Sequence, residues 1–240
     1  MGWPTDWDAL IDHIAPMTRA HLRDTFAAFC AARPAGRKFA HRACDASAGC
    51  SPSMKWVNPP VAFMLHSGAP RLKRAGVSIP SIGRGSPAES DARRTPDASG
   101  RAGVAQAPHA CLRIALEGYP GLVARSITRA SYKNDGAAGR LPARRAERAR
   151  IVEALACGRH RLGVAVDIDA ALAATLIEEG SADRLDAVLC LVQAAWAHAR
   201  RDAGFGLPAD CDPLEGWIVG AARKPAPRAA GRAVAAPSAP

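Results

Sequence analysis

Leu112-Arg113-Ile114-Ala115-Leu116-Glu117 is the one convincing β-strand in the sequence. Its apolar side chains recur at Leu112, Ile114 and Leu116, so by alternation Ala115 and Glu117 share the opposite face. Gly118-Tyr119-Pro120-Gly121 turns out of it. The other periodic segments read as helices, with weaker strand candidates at Leu162–Val166 and Trp217–Val219. A lone strand leaves its backbone groups without partners. Either this segment pairs with something, or the strands that complete its sheet are absent. The second reading is favoured, because the chain opens directly on a helix.

Around that strand the helices follow from caps and apolar spacing. Thr5 caps a helix from Asp6 to about Ile14, and a second spans Thr18 to Ala32, stopped by Pro34 and Gly36. Small residues then make a loop to Pro52, followed by a short turn and a helix ending near Leu65 with prolines in its first turn. Beyond the strand, helices are expected from Leu122 to Thr128, from Pro142 to Gly158, and from an Asp169 cap to Glu179. The last runs from Arg184 to Arg201, capped by Ser181 or Asp183. Its stripe of Leu185, Val188, Leu189, Val192 and Trp196 marks a buried face. Four regions result: a helical part over 1–80, a disordered insertion over 81–110, the remainder of the domain over 111–221 and a basic tail over 222–240. The insertion and tail are rich in Gly, Pro, Ala and Arg and hold too few large apolar side chains to offset ordering entropy.

The 240 residues carry a net charge of +10, concentrated in the tail and in Arg140, Arg144, Arg145, Arg148 and Arg150. Such a face suits a phosphate backbone, but a solvated arginine-rich helix is the favoured reading. Seven scattered cysteines show no Cys-x-x-Cys pair and no ligand-like spacing with histidine, so they read as reduced thiols of a cytoplasmic protein. No apolar run reaches the ~20 residues of a membrane span. Gly83-Arg84-Gly85-Ser86 lacks the spacing and lysine of a phosphate loop. Neither a nucleophile elbow nor a His-Glu-x-x-His pair occurs.

Carboxylates carry the chemical lead. Glu117 closes the strand, and Asp183 and Asp186 stand one turn apart at the start of an apolar helix. Acids at such positions are costly to desolvate unless a cation or hydrogen bonds compensate, and gathered together they can hold a divalent metal. Helix capping is the competing explanation for Asp183, and the macrodipole for Asp186. His41, Arg42 and Lys133 are candidate phosphate contacts or solvated basic residues. Glu215 reads as a structural tie for the C-terminal segment.

Four motifs in order, Leu116-Glu117-Gly118-Tyr119-Pro120-Gly121, Ser131-Tyr132-Lys133, Asp183-Arg184-Leu185-Asp186-Ala187-Val188-Leu189-Cys190 and Asp212-Pro213-Leu214-Glu215-Gly216-Trp217-Ile218, resemble the family called domain of unknown function 429. The resemblance runs from about Trp3 to Val219. It implies an α/β, RNase H-like mixed sheet flanked by helices, and a nuclease whose acids bind two divalent cations, magnesium or manganese. On that analogy Glu117 and Asp186 are metal ligands and catalytic acids, with Asp183 a third. His41, Arg42 and Lys133 would hold nucleic acid. The pattern also implies a first-strand aspartate that this chain, as it begins at Met1, lacks, so a member shortened at its N-terminus and helix-rich is expected. A non-catalytic remnant that binds nucleic acid or protein is the alternative to a nuclease.

Overall fold

The computed structural model describes residues 2–82 and 113–223. The expected insertion and tail lie outside these except at their edges, where Ser81 is buried. Among the described residues the protein is helix-rich. In order run α1 (Trp7–Ile14), α2 (Arg19–Ala31), α3 (Ala43–Ala48), α4 (Val61–Arg74), α5 (Pro120–Ile127), α6 (Pro142–Ala156), α7 (Ala170–Glu178) and α8 (Asp183–His198). Short 3-10 turns follow at Ala137–Arg140 and Arg201–Gly206.

Several helix ends differ from expectation for local reasons. Asp6 rather than Thr5 caps α1, accepting from the Ala9 N–H. Thr18 caps α2 and Asp169 caps α7, both as expected. The supposed loop after Arg42 contains α3. It is too short and too poor in large apolar residues to leave a periodic signature, but Asp45 stabilises its start by accepting from the Arg42 N–H at 2.9 Å. Helix α4 continues through Pro70 to Arg74, well past the expected end. At α8 neither Ser181 nor Asp183 is the cap. That position is Ala182, in the left-handed region at φ 59° and fully buried, while the Glu179 carboxylate accepts from the Arg184 N–H at 2.8 Å.

The main core lies among the last four helices. Val123 of α5, Ile151 and Leu155 of α6, Leu176 of α7, and Leu185, Leu189 and Val192 of α8 are all fully buried there. A separate apolar cluster joins α1 to α4 through Ile11, Ile14 and Ala69, with Trp3, Trp7 and Leu65 against them. Arg148 was expected on a basic face of α6. It is instead 1% exposed, and donates to the carbonyls of Ile177, Tyr132 and Gly139 at 2.6, 2.9 and 2.9 Å. Its neighbours on α6 point elsewhere, with Arg145 paired to Glu178. The arginine cluster is therefore not one surface.

The expected strand is reduced to two isolated parallel bridges, Ser78 with Ile114 and Glu117 with Ile218. On one side the Ser78 N–H donates to Arg113 O at 2.8 Å and the Ala115 N–H to Ser78 O at 2.9 Å. On the other, the Val219 N–H donates to Glu117 O at 2.9 Å. The 113–117 segment thus lies between two parallel neighbours, one of them the weak candidate Trp217–Val219. The other weak candidate, Leu162–Val166, forms no strand. Gln193 of α8 fastens the arrangement from below. Its Oε1 accepts from the Tyr119 N–H at 2.8 Å, and its Nε2 donates to Val219 O at 2.7 Å.

Candidate functional site

Glu117 sits where the 113–117 segment ends, and the side chain that meets it comes from the start of α3. Both Arg42 terminal nitrogens donate to Glu117, one to each carboxylate oxygen, at 2.7 Å each. This is the two-pronged geometry in which an arginine binds a carboxylate most strongly. Arg42 Nε donates to Asp45 Oδ1 at 3.0 Å, and one terminal nitrogen also reaches the Glu215 backbone carbonyl at 3.0 Å. The Arg42 side chain is 15% exposed and Asp45 fully buried. Burial disfavours the Arg42 charge. Hydrogen bonding and charge from Glu117 outweigh it, so the guanidinium is held above its ordinary range. The Glu215 carboxylate accepts from the Ala43 N–H at 2.9 Å, the structural tie expected of it.

Two cysteines flank this cluster. Cys50 Sγ lies 3.2 Å from Asp45 Oδ1, and burial, then the hydrogen bond to Asp45 and its charge, push the thiol up to about 12. Cys44 is buried and its thiol also raised, by burial against the opposing pull of Arg42. Raised thiols are protonated and poorly nucleophilic near neutral pH.

A second polar cluster surrounds Asp186 in the first turn of α8. Tyr132 donates its hydroxyl to Asp186 Oδ1 at 2.6 Å, and the Lys133 ammonium pairs with Oδ2. The Asp186 side chain is 15% exposed. Burial, then the hydrogen bond to Asp186, raises the Tyr132 phenol above its usual value, so it stays protonated and donates.

Helix α8 relates the two clusters. Asp186, Cys190 and Gln193 follow one another along it at helical spacing. A β-carbon on Gly118 would lie 3.4 Å from Cys190 Sγ and 3.5 Å from Gln193 Oε1, so the residue after Glu117 rests on this face one turn beyond Asp186. Glu117 and Asp186 therefore border a common stretch of α8. Asp183 stands apart, exposed at the first position of the helix. His41 is half-exposed, with Nδ1 4.0 Å from Asp45 Oδ2. Arg42 and Lys133, both expected to face nucleic acid, are engaged within the protein.

This donor set does not fit a divalent cation as arranged. Both Glu117 oxygens are taken by a guanidinium, and both Asp186 oxygens by a phenol and an ammonium. Among the described residues no three His, Cys, Asp or Glu side chains converge in a metal-binding group. Asp45 and Gln193 escaped sequence reasoning. Neither leaves a local signal: Arg42 offers no acceptor for a capping box with Asp45, and the partners of Gln193 lie 74 and 26 residues away. Among the described residues no helix is long and apolar enough to cross a membrane. Comparison with protein-family models, with curated proteins and with solved structures finds no match.

Proposed function

We propose that this chain is a non-hydrolysing, nucleic-acid-binding domain built on part of an RNase H-like plan. The observation that carries the first half is the double hydrogen bond from Arg42 to Glu117. A carboxylate neutralised by a buried guanidinium already has its counter-charge, and a divalent ion would have to displace it while leaving Arg42 uncompensated. Asp186 is balanced in the same way by Lys133 and Tyr132. The partner is favoured by charge: the chain carries +10, and exposed cations such as Arg37, Lys38 and Arg150 form no ion pair among the described residues.

The metal-dependent nuclease is the second reading. What favours it is the shared stretch of α8, which brings the turn after Glu117 to within one helical turn of Asp186. On that reading the two acids would hold magnesium or manganese once Arg42 and Lys133 moved aside. One pair of experiments separates the readings. Incubation of the full chain with single- and double-stranded DNA and RNA in millimolar magnesium or manganese should give no cleavage, and the melting temperature should not respond to either ion beyond matched ionic strength. Binding should persist and weaken steeply with salt. Metal-dependent cleavage abolished by Glu117→Gln and Asp186→Asn would overturn the proposal in favour of the nuclease.

A further inference from the structure

A cavity of about 440 Å³ opens between the end of α2 and the turn that carries Trp56. Ala27, Cys30 and Ala31 form its floor, Trp56 a wall, and Arg33 and Lys38 stand beside it. The walls contain no acidic residue. Among the described residues Arg33, Arg37 and Lys38 form no ion pair, although they fall within six positions of one another. Aromatic groups hold the cations instead. The Lys38 ammonium lies 5.5 Å from the Phe39 ring centre and 5.9 Å from that of Trp56, and the Arg33 guanidinium lies 5.3 Å from the ring centre of Phe29. Phe39 meets Trp56 edge-on at 5.6 Å, which fixes the indole plane. Arg33 Nε also donates to Arg37 O at 2.6 Å, bracing the loop between them.

From this juxtaposition we infer that the cavity takes one unpaired nucleotide of a single-stranded nucleic acid, its base against Trp56 and its phosphate toward Arg33 and Lys38. A small apolar recess with an aromatic wall and unpaired cations at its mouth complements a flat base joined to an anion. A base within a duplex is stacked on both faces and cannot enter, so the site selects single strands. Size also limits occupancy, since the recess is at the lower end of small-ligand pockets. The inference deepens the nucleic-acid reading above and is independent of the fate of Glu117.

Fluorescence anisotropy with labelled oligothymidylate and oligouridylate, a matched duplex, and inorganic polyphosphate as competitor tests it on the full chain. Single strands of either sugar should bind at least tenfold tighter than the duplex. Trp56→Leu should weaken single-strand binding by roughly tenfold or more, the loss expected for one stacked base. Arg33→Ala and Lys38→Ala should each flatten the dependence of log affinity on log salt by about 0.7. The two alanine variants decide the matter if Trp56→Leu proves unfolded by circular dichroism. Unchanged single-strand affinity in folded Trp56→Leu, or unchanged salt slopes in both alanine variants, overturns the site while leaving nucleic-acid binding intact. Polyphosphate binding as tight as the oligomers and indifferent to Trp56 also overturns it, reducing the patch to bare charge. Absence of all binding overturns both this inference and the partner proposed above.

Discussion

Replacing Arg42 by methionine keeps most of the aliphatic stem and removes the guanidinium, with its four side-chain hydrogen bonds to Asp45, Glu117 and the Glu215 carbonyl. Asp45, fully buried, would retain the Arg42 N–H and the Cys50 thiol but no counter-charge. Breaking a buried ion pair by removing one partner costs about 3–5 kcal/mol. Glu117 is 34% exposed and regains water, so a loss near the lower bound, about 3 kcal/mol, is expected. Glu117→Gln keeps an acceptor for one prong and loses the charge, at about 1.5 kcal/mol. If the two residues act through each other, the double variant loses about 3 kcal/mol rather than the roughly 4.5 that independence would give. Urea denaturation followed by far-ultraviolet circular dichroism measures all four proteins, provided the slope with denaturant is unchanged. Costs that add to within about 0.5 kcal/mol would refute the pairing and the charge-balance argument resting on it.

Gln193→Leu fills the same space but strands the Tyr119 N–H and the Val219 carbonyl, so a loss of about 2–4 kcal/mol in the same denaturation assay is expected; a neutral effect would deny the clamp. Gly139→Ala should be still more damaging, because a β-carbon there would come within 2.3 Å of Asn134 O and 2.7 Å of Gly180 O, both backbone atoms, and expression as folded protein is the simplest readout. The Cys50 thiol, held near 12, should resist iodoacetamide at mildly alkaline pH while exposed Cys157 reacts, as peptide-resolved mass spectrometry would show. Because that raised value favours the protonated form in the fold, the Cys50 contribution is complete below its ordinary value of about 8.5 and is lost as pH climbs toward about 12. A urea midpoint that falls less steeply with alkali in Cys50→Ala than in the parent would register it, and identical slopes would contradict it.

Long helices were legible because their signals are local. The stripe from Leu185 to Trp196 repeats over about three turns, and Thr18 and Asp169 announce the helices they cap. Helix α3 was not, since Ala43–Ala48 is too brief to show a period and its stability comes from Asp45 and distant groups. The 113–117 segment shows the opposite failure. Its alternation is only partly expressed, with Leu116 packed near Val219 and Glu117 turned toward Arg42 but Ile114 39% exposed; strand pairing is a property of two segments, and only single bridges form on either side. Glu117 stands out in the sequence as an acid needing compensation, which the sequence reading assigns to a metal and the structure to Arg42. Its compensating group lies 75 residues earlier, a separation at which no spacing rule operates. Asp183 misled because a polar residue at a helix start is usually the cap; here the chain enters through a left-handed alanine and Glu179 reaches the freed amide instead.

The division of the apolar residues into a main core and a separate α1–α4 cluster bears on how the molecule opens. Regions with their own small cores unfold at their own free energies, below that of the whole. The amide of Tyr119, held by a buried side chain of α8, and that of Val219, bonded to Glu117 O, should exchange with solvent hydrogen only when the main core comes apart. The Ser78 amide follows α4 and should exchange earlier, whenever the smaller cluster lets go. Such an order would release α1 and α4 first and leave the α5–α8 assembly standing, with α3 still held against Leu122, Trp217 and Ile218 through Cys44 and Ala48. The ion pair between Arg42 and Glu117 would then outlast the first opening and be lost only when the C-terminal half itself comes apart.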